Sequence, residues 1–218
     1  MNHKLRKRFV DSMEYLRQMG FFQDYSNSSS EEILEKILEG EIGYPLGWLC
    51  EKEGHLHPHG KYIIVDIYEH RGRWMKASDF EIDRELIPFD TKRVIVEDVE
   101  TNIDSEMGTV ILKRLARISR GVFQPTNISS RWLTPGGTKW SIQEVSFDFE
   151  GKRHAIEIAL RYDYIEDMGL EQLNDIIEDT GYQYYQIEDG FIMVVVLTKE
   201  EAERLKKERG WKFPLTIL

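Results

Sequence analysis

At 218 residues, with 41% hydrophobic and 31% charged side chains, the chain has an ordinary globular composition, which excludes the disordered, collagen-like and low-complexity classes. A chain of this size hides roughly 70% of its unfolded surface on folding, so its core needs no disulfide or metal to hold it. The formal charge of −10 repels phosphate backbones at long range, which argues against nucleic acid as a partner and in favour of a protein with a basic surface.

The single cysteine, Cys50, excludes an intramolecular disulfide and points to a reducing, cytoplasmic compartment. The basic opening from Met1 to Arg8 has the charge of a signal peptide's first segment, but Asp11, Glu14 and Arg17 interrupt any apolar stretch behind it. The longest strongly apolar run, Phe191 to Leu197, covers about a third of a membrane span. Neither export nor membrane insertion is expected.

In chain order, Leu5, Phe9, Met13 and Leu16 recur at helical spacing and define an amphipathic helix ending near Gly20. A second helix follows the serines at 28 to 30: Ser29 and Glu32 have capping-box spacing, Ile33, Leu34, Ile37 and Leu38 form the apolar stripe, and Gly40 closes it. Residues 41–60 lose periodicity and read as a loop punctuated by Gly and Pro. Strands are expected at Lys61 to Tyr68 and Arg93 to Val96, with a short extended piece around Trp74. Met107, Val110, Ile111, Leu115 and Ile118 then mark a third helix, ended by Gly121.

The clearest β signal comes next, with a strand from Trp140 to Phe149, a tight turn at Glu150-Gly151 and a partner strand from Lys152 to Leu160. Trp140 and Ile142 share one parity while Val145, Phe147 and Phe149 share the other, so a one-residue bulge is expected near Gln143. Leu170, Leu173, Ile176 and Ile177 give a fourth helix stopped by Gly181. Asp189-Gly190 joins a strand at Tyr182 to Ile187 to the uninterrupted apolar strand Phe191 to Leu197, which should be central and covered on both faces. Thr198 and Glu201 form another capping box, opening the last helix.

These elements define an α+β class: largely antiparallel sheet, with hairpins at 140–160 and 182–197 and helices packed on it, preceded by an N-terminal helical pair and a smaller strand region. The order suits an N-terminal subdomain at 1–100 (two helices, loop 41–60, strands 61–96) and a C-terminal subdomain at 101–218, or one continuous domain.

Two sets of residues could carry function. Cys50, His55, His57 and His59 offer thiolate and imidazole ligands, and the alternate histidines of an extended backbone would point one way, as a zinc site requires. The usual HExxH and paired CxxC spacings are absent, and a solvated loop has the same composition. Under the zinc alternative the protein is a metal-dependent enzyme or metal-binding protein; otherwise it needs no cofactor. Glu97, Asp98, Glu100 and Asp104, at the end of a strand, have the chemistry of a magnesium site, yet they equally suit the negative start of the helix that follows. Asp148, Lys152 and Glu157 lack the close Glu-x-Lys spacing of metal-dependent nucleases and read as hairpin surface. Lys113, Arg114, Arg117 and Arg120 give the third helix a basic face, with Arg131 beyond it, and they lie where cations complement a helix C-terminus.

The second set is defined by what it lacks. From Tyr162 to Thr198 there is no Lys or Arg, while Asp163, Glu166, Asp167, Glu171, Asp175 and Glu178 recur and Tyr182 and Tyr184 stand among them. Clustered carboxylates speed encounter with a basic surface, and tyrosines supply rigid, half-polar contact area. The expectation is a non-enzymatic acidic module that docks a basic protein partner through its C-terminal half. Modest size, acidity and the absence of a catalytic set resemble the profile of toxin-neutralising immunity proteins, which implies binding in place of catalysis.

Overall fold

Helix α1 (His3–Gln18) forms where the apolar spacing places it, with Leu5, Phe9, Met13 and Leu16 all buried along one side. The fold is a computed structural model that describes residues 2–44, 69–97, 105–134, 139–162, 164–188 and 192–213. In α2 (Ser30–Glu39) the capping box closes as its spacing predicts: Ser29 accepts from the Glu32 N–H, and the Glu32 carboxylate accepts from the Ser29 N–H. Those bonds hold the Glu32 carboxyl below its ordinary pKa, the backbone bond contributing most.

Two short helices follow the first stretch outside the described residues, α3 (Arg71–Trp74) and α4 (Asp79–Leu86). The extended piece expected around Trp74 is therefore a helical turn. Tertiary packing decides it, because Trp74 is buried against Phe9, ring centroids 5.9 Å apart. Helix α4 opens with the same device as α2, a reciprocal box between Ser78 and Glu81. The strand expected at 61–68 lies outside the described residues.

Strand β1 (Val94–Glu97) pairs antiparallel with β7 (Ile192–Thr198), and β7 pairs with β6 (Tyr182–Glu188), giving a sheet of order β1-β7-β6. As its unbroken apolar run predicts, β7 is the central strand. The strand period of two separates its side chains between two cores. Met193, Val195 and Leu197 join α1, α2, α4 and the C-terminal helix α7 (Lys199–Arg209) in one core. Ile192, Val194 and Val196 turn to the other, made with α5 (Met107–Ile118), α6 (Leu170–Ile176) and the second sheet. Among the described residues, the first hundred thus supply one strand to a sheet whose other strands come from positions 182–198.

The second sheet has the order β2-β3-β4-β5, from β2 (Thr126–Trp132), β3 (Trp140–Phe149), β4 (Lys152–Arg161) and β5 (Tyr164–Asp167), each pair antiparallel. Glu150 (φ 51°) and Gly151 (φ 74°) both adopt the left-handed conformation that a two-residue hairpin turn needs. Strands β3 and β4 pair residue for residue from Trp140↔Arg161 to Phe149↔Lys152, so the bulge expected near Gln143 is absent. Register survives because Ser141 and Gln143 take inward positions, leaving Trp140 and Ile142 on the opposite face. Gln143 tolerates burial because its carboxamide accepts from the Gly108 N–H at 2.7 Å and donates to the Ser105 carbonyl at 2.8 Å. The irregularity lies in β2 instead, between Thr126 and Ser129, where Asn127 has φ 51°.

Helix α5 seats on β3 through Gly108, where a Cβ would meet Val145 Cγ2 at 2.5 Å and Gln143 Oε1 at 2.6 Å. Its Arg114 is buried and pairs with the equally buried Glu97 of β1, also donating to the Val96 carbonyl at 2.9 Å. Behind α7, the chain end is held by Asp83, which accepts from Arg209 (Nη2 at 2.6 Å, Nε at 2.9 Å) and from Trp211 Nε1 at 2.9 Å. Burial nevertheless raises the Asp83 carboxyl pKa.

Candidate functional site

Side-chain amides pin α6 to both sheets, to β4 beyond the end of its pairing with β5 and to β6. Gln172 accepts from the Glu157 N–H of β4 at 2.8 Å. Asn174 bonds both ways with Tyr184 of β6, accepting from its N–H at 2.7 Å and donating to its carbonyl at 3.0 Å. An exposed strand edge is a template for unwanted pairing, and these contacts occupy part of each edge. At the start of α6, Gly169 has φ 69°, and a Cβ there would lie 2.8 Å from the Glu157 carbonyl. Asp167 Oδ1 accepts from the Gly169 N–H at 2.8 Å.

With α6 so fixed, Leu170 and Leu173 face the core, and Glu171 and Asp175 face outward. Glu171, Asp175 and Glu178 stand at i, i+4 and i+7, so the three share one side of the helix and the turn beyond it. All three are exposed, and none forms an ion pair with a described residue. Other acidic side chains on the described surface do pair, Asp24 with Lys92, Glu144 with Arg131, Asp148 with Arg153 and Glu201 with Arg120, while Glu14, Glu39, Glu150 and Glu200 stand exposed and unpaired among the described residues, as these three do.

The other acidic and aromatic candidates separate. Glu166 is exposed and sits 3.6 Å from Arg161 Nη1, while Asp167 is occupied by the α6 start. Tyr182 is half-buried, with the Arg120 guanidinium 4.8 Å from its ring centroid. Tyr184 is a core residue, 3% exposed, with its hydroxyl donating to the Leu115 carbonyl at 2.9 Å, and burial raises its pKa far above the ordinary tyrosine value. Asp163 lies outside the described residues. The carboxylates of α6 therefore gather, whereas Tyr184 belongs to the fold.

Sequence reading gave Trp140 to the core, but it is 53% exposed, with Leu133 at 44% and Tyr162 at 52% near the same end of the second sheet. Arg161 lies 5.7 Å from the Trp140 ring centroid and reaches Glu166, joining this apolar end to β5 and so to the start of α6. Between β3 and β4 the outward rows are Trp140↔Arg161, Ile142↔Ala159, Glu144↔Glu157, Ser146↔Ala155 and Asp148↔Arg153. Only the unbroken register reveals Trp140 as outward.

Cys50, His55, His57 and His59 lie outside the described residues, as do Asp98, Glu100 and Asp104. Among the described residues no group of three or more His, Cys, Asp or Glu could hold a metal ion. Glu97, the remaining member of the acidic strand end, is 1% exposed and is neutralised by Arg114. Asp148 and Glu157 stand in separate rows of the hairpin; Asn127 and then Arg153 hold the Asp148 carboxyl below its ordinary pKa. The basic residues of α5 and the turn after it also disperse, with Arg114 inside and Arg120 on Glu201. Among the described residues no helix is long and apolar enough to cross a membrane. Compared with protein-family models, with curated proteins and with solved structures, the chain matches none.

Proposed function

We propose that this protein is a non-enzymatic binding module that docks a basic protein partner through the exposed side of α6, of the kind exemplified by toxin-neutralising immunity proteins. The observation that carries the reading is the stripe of Glu171, Asp175 and Glu178: three outward carboxylates at helical spacing, unpaired with any described residue, in a stretch without Lys or Arg. Like charges at this spacing repel one another by a few tenths of a kcal/mol per pair. A stripe that costs folding energy and receives no internal cation suits an external one. The partner's lysines and arginines relieve the repulsion, and the field of the stripe steers the encounter. Trp140, Tyr162 and Leu133, joined to the acidic side by Arg161 and Glu166, supply apolar contact area beside it.

The test is paired affinity capture. Wild-type protein and the triple variant Glu171→Lys, Asp175→Lys, Glu178→Lys are used as matched baits, and the captured proteins are identified. The reading expects a basic protein held by the wild type, released as salt rises and missing from the variant's capture. Identical captures by both baits, at low and high salt, remove α6 as the docking element.

A further inference from the structure

A cleft of about 470 Å³ opens between the end of α1, the segment entering β1 and the turn after α5. Its charged lining is Arg17, Lys92, Arg93 and Arg120 against Asp24 and Asp90, an excess of cations on a chain of net charge −10. A second cleft of about 460 Å³ adjoins it, sharing Gln18, Gly20 and Arg120 and reaching the start of α7.

Two of these cations have carboxylate partners. Lys92 Nζ lies 2.7 Å from Asp24, and Arg120 Nη1 donates to both oxygens of Glu201 at 2.8 Å. Arg93 is different. It is only 8% exposed, its guanidinium lies 4.6 Å from the Phe21 ring centroid, and Nη1 donates to the Gly20 carbonyl at 2.6 Å. Its Nε and Nη2 are buried without a hydrogen-bond partner. Asp90, whose charge favours that of Arg93, is engaged by the Phe22 N–H at 2.6 Å and makes no ion pair with Arg93 among the described residues. A buried guanidinium without a hydrogen-bonded counter-ion is costly. Nε and Nη2 form the edge of a guanidinium that takes two oxygens of an oxyanion side by side.

We propose that this cleft binds the phosphate group of a small phosphorylated ligand, which draws Arg120 away from Glu201 and turns the enclosed, unpartnered edge of Arg93 out onto the phosphate. A carboxylate's two oxygens are satisfied by one guanidinium edge, whereas a phosphate has a further oxygen for a second cation. Arg93 and Arg120 are brought close enough that, after burial itself, the charge of Arg120 is the next largest influence lowering the pKa of Arg93. A dianion between them replaces repulsion with two attractions. The site is independent of α6, and either assignment stands without the other.

Calorimetric titration of the purified full chain with inorganic phosphate, at constant ionic strength in chloride, tests it. Saturable binding to one site is expected, with acetate binding at least about tenfold more weakly. Arg120→Gln should weaken phosphate by about tenfold or more, because it removes one charge-assisted partner. Glu201→Gln should tighten it several-fold, since it frees Arg120 while its amide oxygen still accepts from the Thr198 N–H as Glu201 does now. Opposite shifts from these two variants are not produced by a merely structural role. Arg93→Gln should abolish binding, and if that variant fails to fold the other two decide. Absence of saturable phosphate binding by the wild type, equal affinity for acetate, or unchanged affinity in both Arg120→Gln and Glu201→Gln overturns the proposal.

Discussion

The stripe on α6 and the cleft at Arg93 are electrostatic opposites. On and just beyond α6 three carboxylates stand in solvent with no ion pair among the described residues; at the cleft a guanidinium is buried with no hydrogen-bonded anion. Net charge describes neither place. What differs is the cost of leaving each charge unmatched: little for the exposed carboxylates, which water solvates, and much for Arg93, which water cannot reach. The stripe can therefore wait for a partner cheaply, and Arg93 makes the stronger demand for a ligand. Arg114 shows the same residue type with its demand met, buried against Glu97.

The comparison can be broken first at Arg114. Glu97→Ala removes the carboxylate buried against it and should destabilise the protein by about 3–5 kcal/mol in chemical denaturation. A loss well below that range would mean that this fold tolerates a buried arginine without its bonded carboxylate, and would weaken the case that Arg93 needs an anion. Gly108→Ala probes the scaffold that carries both regions by forcing a methyl group into Val145 and Gln143, and should cost about 1–3 kcal/mol.

Smaller again is Tyr184→Phe, expected to cost about 0.5–1.5 kcal/mol at neutral pH for the lost bond to Leu115. It also has a pH signature. Burial raises the pKa of Tyr184 and of Tyr44, and desolvation followed by the bond to Glu208 pushes Tyr15 up to about 12. An acid whose folded pKa is raised keeps its proton in the native state after the unfolded chain has lost it. Stability is thus intact below the ordinary tyrosine value of 10.0 and falls as pH rises beyond it toward the raised native values. Tyr184→Phe should make that alkaline loss shallower, and an equal slope in wild type and variant would contradict the assignment. The smallest effect belongs to α6: the triple Lys variant should keep its stability within about 0.5 kcal/mol of the wild type, because exposed, unpaired carboxylates contribute little to the fold.

Local signals were readable where local physics decides. The boxes at Ser29–Glu32 and Thr198–Glu201, the Glu150-Gly151 turn and the central position of β7 all follow from short stretches of sequence. Ser78 and Glu81 carry the same box, legible by the same rule, in a segment to which sequence reading assigns no element. Gln143 misleads because its polarity argues for solvent, while its partners, Gly108 and Ser105, come from a helix start far away in the chain. The α6 stripe was visible as spacing, but that it stays unpaired depends on the whole surface. The isolation of Arg93 was invisible, since Gly20 and Arg120, distant in the chain, meet it only in the fold.

The most direct measurement of the α6 assignment is the association rate of the purified partner as ionic strength is raised. Wild-type protein should associate about tenfold or more slowly at high salt than at low salt, whereas the triple Lys variant should start slow and change little or reverse its trend. Parallel salt dependence in the two proteins would place the steering charge elsewhere and contradict the account.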